Sequence, residues 1–147
     1  MYNVRQVLQN KGYDVWSVSP DTTTYEALRM LDDKDIGALM VLDGERMVGI
    51  ISERDFARRI ARRGACHLEA PVKEFMTRNV YVVSPEQTIE ECMVIMTQKH
   101  FRHLPVIEEG KLVGIISIGD VVSEVIKNQE DTIHNLEDYI LGTGYGH

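Results

Sequence analysis

A chain of 147 residues is one domain or two very small ones, and its 44 % hydrophobic and 27 % charged content is that of a globular protein, which excludes a disordered chain. The formal net charge of −7 argues against nucleic acid as the main partner, because phosphate binding needs concentrated positive charge. No apolar run is long enough for a membrane helix, the opening Met1-Tyr2-Asn3-Val4-Arg5 has no apolar signal core, and Cys66 and Cys92 are too few for a disulfide framework, so a cytoplasmic protein is expected.

An internal repeat organises the chain. Residues 18–56 align with residues 83–121 at a constant offset of 65 without a gap, and 14 of the 39 positions are identical, too long a gapless register to arise by chance. In chain order, an apolar heptamer with Val4, Val7 and Leu8 comes first. A strand at Val15–Val18 ends at Ser19-Pro20, where proline stops the ladder. A helix from about Thr23 to Leu31 carries Ala27, Leu28 and Leu31 at helical spacing. Strands at Ala38–Leu42 and Met47–Ile51 flank a turn at Asp43-Gly44, and a second helix starts near Asp55. Residues 57–70 join the halves and carry Arg58, Arg59, Arg62 and Arg63; the stripe Arg54, Arg58, Arg62 reads as a solvated helix face.

The second copy repeats the order. Val72, Phe75 and Met76 match the leading heptamer, and a strand at Val80–Val83 precedes a helix from Thr88 to Met96. Strands at Leu104–Ile107 and Leu112–Ile116 and a helix starting near Asp120 complete it. Beyond Lys127, Ile133, Leu136 and Ile140 share one face of a further helix at Asp131–Leu141, and Gly142–His147 reads as a frayed tail. The expected fold class is α+β, two β-α-β-β-α repeats with a C-terminal helix. Domain organisation is expected as residues 1–66, 67–127 and 128–147. One repeat has too little core to stand alone, so two should pack together.

The densest chemistry lies at one place in each repeat, Gly49-Ile50-Ile51-Ser52-Glu53-Arg54-Asp55 and Gly114-Ile115-Ile116-Ser117-Ile118-Gly119-Asp120. A strand ends there in a turn that opens a helix. Glycine admits close approach of another group, and a serine hydroxyl with free backbone N–H groups suits a phosphate. An aspartate three residues on can accept hydrogen bonds from a ribose diol. Ser-x-x-Asp at a helix start is equally a capping box that binds nothing. Both readings stand at this level.

The paired Val-Ser-Pro…Val-Gly-Ile-Ile-Ser-x-x-Asp frames resemble a tandem pair of CBS domains, a Bateman module, over about residues 4–127. The resemblance implies repeats packed through their sheets in pseudo-twofold symmetry around two clefts. It also implies an adenosine ligand, with AMP foremost and NAD(H), ATP, ADP or S-adenosylmethionine as alternatives. In one cleft Asp120 would hold the ribose, Ser117 and the Gly119 backbone would meet the phosphate with Arg102 and His103, and Trp16 and Ile36 would face the base. The other would use Ser52, Arg54 and Asp55, with Tyr81 and Phe101 near the base. Gly37 and Ala38 stand where the second repeat has Arg102 and His103, so the Asp120 cleft is expected to bind phosphate more tightly.

The resemblance further implies a homodimer and a regulatory role towards a partner protein; the alternative is an interaction module without a ligand. No catalysis is expected, since Ser52 and Ser117 lack a Gly-x-Ser-x-Gly setting, and no metal, since His67, His100 and His103 show no ligand set.

Overall fold

The computed structural model describes residues 2–141. The tail Gly142–His147 lies outside the described residues. The helices are α1 (Val4–Lys11), α2 (Thr24–Lys34), α3 (Glu53–Arg63), α4 (Ile89–Lys99) and α5 (Ile118–Leu141). The strands are β1 (Ser17–Val18), β2 (Ala38–Asp43), β3 (Arg46–Ser52), β4 (His103–Glu108) and β5 (Lys111–Ser117). The mixed α+β class is that expected, and so is the order in the first repeat; the second repeat departs from it at its first strand.

The chain divides into two compact units. Residues Asp14–Tyr81 form the central unit; the segment up to Tyr13 joins the residues from Val82 onward to form the terminal unit. The leading segments of the repeats are therefore exchanged. In the terminal unit, Val4, Val7 and Leu8 of α1 are buried with Val83, Ile89, Cys92, Leu104, Val106 and Ile116. In the central unit, Val72 and Met76 are buried with Val18, Ala27, Leu31, Leu39, Val41, Ile51 and Phe56. Amphipathic spacing marks these segments as core-facing, but it carries no information about which sheet they cover.

Each unit is built on a hairpin. In the central unit β2 pairs antiparallel with β3, and β1 adds in parallel to give the order β1-β2-β3. In the terminal unit β4 pairs antiparallel with β5, and the expected first strand shrinks to a single bridge, Val83 to Val106. The cause is one residue. Met40 donates its N–H to the carbonyl of Trp16 at 3.1 Å, and its counterpart Pro105 has no N–H to donate. Both hairpins turn in two residues, Gly44-Glu45 and Glu109-Gly110; in the second, Glu109 and Gly110 both take positive φ, 52° and 77°, the type I′ pattern that matches strand twist.

The helices run longer than their sequence signals. Thr23 and Thr88 cap α2 and α4, which continue past the expected ends to left-handed residues at Asp35 and His100. The segment from Ala57 to Arg63, read as linker, is the body of α3. Arg54, Arg58 and Arg62 are exposed, whereas Arg59 is held by Glu74 at 2.7 Å and lies 4.8 Å from the Phe75 ring centre. The expected helix after Lys127 is not separate, because α5 is one continuous helix of 24 residues.

Candidate functional site

The two Ser-x-x-Asp turns sit where β3 runs into α3 and β5 into α5. In the terminal unit the first N–H of α5, at Ile118, donates to the carbonyl of Arg102 at 2.8 Å. His103 pairs across the ladder with Ser117. These contacts gather Arg102, His103, Ser117, Gly119 and Asp120 at the mouth of α5. The central unit repeats the geometry: Glu53 N–H donates to the carbonyl of Gly37 at 3.1 Å, and Ala38 pairs with Ser52.

Both turns are capping boxes. The Ser117 N–H donates to Asp120 Oδ2 at 2.7 Å, and the Asp120 N–H donates back to Ser117 Oγ at 3.1 Å. At the other turn the Ser52 N–H donates to Asp55 Oδ2 at 2.8 Å, and the Asp55 N–H donates to Ser52 Oγ at 3.4 Å. Capping leaves further acceptor capacity on a carboxylate, so it does not decide against a ligand.

What distinguishes the two turns is the second oxygen. Thr77 donates its hydroxyl to Asp55 Oδ1 at 3.3 Å, so both oxygens of Asp55 are engaged. At Asp120 the additional donor is Lys11, whose Nζ lies 2.7 Å from the same Oδ2 and 2.9 Å from the carbonyl of Ile115. Asp120 Oδ1 accepts no hydrogen bond from the described residues. Lys11 and Thr77 both come from the exchanged leading segments. Sequence reading missed both, and no local signal marks them, since Lys11 is 109 positions from Asp120.

The electrostatics differ as well. His103 is held below its ordinary pKa, first by burial and then by the positive charge of Lys11; Asp120 opposes the shift and Arg102 adds to it. The Asp120 turn thus combines one carboxylate with Lys11, Arg102 and a neutral, protonatable His103. The Asp55 turn has Gly37 and Ala38 at the matching positions, and its Arg54 is exposed on α3.

The repeat glycines have a packing reason. A Cβ on Gly49 would stand 2.7 Å from Met76 Sδ and 2.9 Å from the Thr77 carbonyl oxygen, and one on Gly114 would stand 2.7 Å from Leu8 Cδ2. The group that approaches the backbone at these positions is the exchanged leading segment.

The residues expected at the base are distributed over both units. Trp16 and Ile36 belong to the central unit; Phe101 belongs to the terminal unit, and Tyr81 is the last residue of the central one. Trp16 is 40 % exposed, with Lys34 Nζ 4.1 Å from its ring centre, so it is not a core residue. Tyr81 is likewise exposed, while Ile36 and Phe101 each pack against the core of their own unit.

Comparison with known proteins follows the same repeat. The family model described as "CBS domain" matches residues 4–62 and again 72–127. The chain is 32 % identical over 152 residues to the CBS domain-containing protein CBSX3, mitochondrial, of Arabidopsis thaliana, covering 97 % of this chain and 73 % of that one. It is similar to the crystal structure of a CBS-domain containing protein from Agrobacterium tumefaciens, at 43 % identity and a TM-score of 0.81 over 84 % of this chain and 98 % of that one. It is also similar to the crystal structure of CBSX2 in complex with AMP, at 27 % identity and a TM-score of 0.69 over 88 % and 99 %.

Proposed function

The chain belongs to the CBS-domain family and carries two CBS domains in tandem, and on that premise we propose that it is a regulatory module that binds an adenine nucleotide, AMP foremost, and signals its bound state to a partner protein. One observation carries the reading. Asp120 spends Oδ2 on Ser117 and Lys11 and keeps Oδ1 open. An open carboxylate oxygen can accept a ribose hydroxyl, while Lys11 and Arg102 offer positive charge, and they and the neutral His103 offer donors, to a phosphate. The N–H of Gly119, in the first turn of α5 between the engaged N–H groups of Ile118 and Asp120, adds to that field. At Asp55 both oxygens are used and these cations are lacking, so that turn is assigned the weaker site, with Ser52 and Arg54 as its phosphate contacts.

The AMP complex of CBSX2 supports AMP as the first ligand to test. ATP, ADP, NAD(H) and S-adenosylmethionine are the other adenosine compounds in the set. A homodimer is the proposed assembly. The described helices include none long and apolar enough to cross a membrane. Cys66 and Cys92 are both free thiols, which fits the reducing conditions of a cytoplasm.

The reciprocal caps favour a second reading, in which the Ser-x-x-Asp turns only start helices and the module binds protein alone. Calorimetry with AMP on the wild type, Asp120→Ala and Asp55→Ala separates the two. Each variant should lose about 1 kcal/mol of stability with its cap. The nucleotide reading expects AMP to bind the wild type, Asp120→Ala to weaken binding more than tenfold, and Asp55→Ala to retain it. A folded, nucleotide-free wild type that binds no adenosine compound overturns it and leaves the interaction module.

A further inference from the structure

We propose that a pocket between α4, α5 and the N-terminal segment binds a small organic cation, an ammonium group on a short hydrocarbon body, through Glu124. None of its lining residues belongs to the Asp120 turn, and the proposal is independent of nucleotide binding.

The walls all belong to the terminal unit. The Ile89 N–H at the start of α4 donates to the carbonyl of Tyr2 at 3.1 Å, and Tyr2 Oη lies 3.5 Å from Asp131 Oδ2 on α5. These contacts hold the N-terminal segment against both helices, and beside them lies a pocket of about 160 Å³. Glu124, Val125, Asn128 and Gln129 line it from one face of α5, and Glu90 joins Ile89 from the first turn of α4.

Glu124 gives the pocket a reason to be filled. It is 7 % exposed. Its Oε1 accepts a hydrogen bond from Asn10 Nδ2 at 3.2 Å, while Oε2 is buried and accepts none from any described residue. A buried carboxylate oxygen without a donor is destabilising, and a cation that brings one relieves it. Asn10 lies outside the lining, so the open oxygen is the one available to a ligand. The last torsion of a glutamate is soft, so Oε2 can turn to meet a donor without α5 moving.

The lining selects the ligand class. No lysine, arginine or histidine lines the pocket, whereas Glu90 and Glu124 do, and the side-chain carbonyls of Asn128 and Gln129 are further acceptors. Such a lining favours a cation. Among the described residues no three histidine, cysteine or acidic side chains converge to hold a metal ion. An ammonium is less demanding, since its three rotatable donors fit acceptors at varied angles. Ile89, Val125 and the Tyr2 ring offer apolar wall to a hydrocarbon body, and an aromatic face also attracts a cation. A cavity of about 150 Å³ admits benzene, so a chain of about four carbons with its nitrogen fits.

NMR titration of the full, nucleotide-free chain with butylammonium chloride tests the site, in about 0.15 M salt to screen loose surface attraction. The amides of Glu90, Val125 and Gln129 should shift saturably while that of Asp120 stays still. Glu124→Gln keeps the shape of the side chain and an acceptor for Asn10, and it should weaken binding about tenfold or more. Glu90→Gln alters an exposed side chain, so it should weaken binding in a folded protein even if Glu124→Gln fails to fold. Butanol, which has the same hydrocarbon without the charge, should not saturate the site. Butanol binding as tightly as butylammonium would leave only an apolar gap, and magnesium or calcium displacing butylammonium would make it a metal site. Either result overturns the proposal, as does the absence of saturable shifts or unchanged affinity in the folded variants. None of these outcomes bears on AMP binding.

Discussion

Asp120 and Asp55 occupy the same position in two copies of one motif, yet different long-range partners set their chemistry. A lysine ammonium leaves Asp120 with an open oxygen, whereas a threonine hydroxyl completes Asp55. His103 responds to the same surroundings. Its ordinary pKa of about 6.5 holds in the unfolded chain, and burial with Lys11 lowers it in the folded one. The unfolded state therefore binds the proton more readily. The stability contributed by neutral His103 is present above about pH 6.5 and is lost as the pH falls towards the lowered folded value. Urea unfolding at pH 7.5 and pH 5.5 should show a larger loss for the wild type than for His103→Asn; equal losses would remove His103 from the account. A phosphate bound beside His103 would raise its pKa again, so AMP affinity should increase over the same descent in pH.

Among the elements, the β3–α3 and β5–α5 junctions are set by local rules. Serine caps, the aspartate closes the box, and the glycine two residues before the strand's apolar end admits the crossing segment. The crossing is tighter at Gly49. The Thr77 carbonyl facing it is fixed by reciprocal backbone hydrogen bonds with Ile50 at 3.0 and 2.9 Å, whereas the nearest atoms facing Gly114 belong to the Leu8 side chain. Gly49→Ala should cost about 1–3 kcal/mol through overpacking. Gly114→Ala should cost less, because a leucine side chain can turn where a hydrogen-bonded carbonyl cannot. Equilibrium denaturation ranks the two, and the reverse order would refute the steric argument. The shortened first strand of the second repeat belongs to this scale too, since Pro105 removes a single donor and reduces a strand to a bridge.

At the scale of the whole molecule the chain exchanges its leading segments, so a substitution near the N-terminus acts on the unit built from the C-terminal half. Leu8 is 1 % exposed and buried with Leu104, Val106 and Ile116. Leu8→Ala should cost about 2–5 kcal/mol through the cavity left behind. The loss of hydrogen-exchange protection should appear in β4 and β5 before β2 and β3. Protection lost first in β2 and β3 would contradict the exchange.

The sequence by itself determined the repeat, the α+β class, the order of elements and the turns at Ser52–Asp55 and Ser117–Asp120. Periodicity, proline and glycine placement and capping chemistry are local properties, legible wherever a few residues suffice. The lack of cations at Gly37 and Ala38 was legible for the same reason. Element ends were less so: α2 and α4 close on Asp35 and His100 in left-handed conformations for which neither residue is the usual signal, and the merger of two predicted helices into α5 required no capping residue to mark it. Only the tertiary structure decided that Lys11 reaches Asp120 and Thr77 reaches Asp55, and that Met76 and Leu8 are what the glycines accommodate. Those contacts join residues that are far apart along the chain, and they exist only once the backbone has folded back on itself.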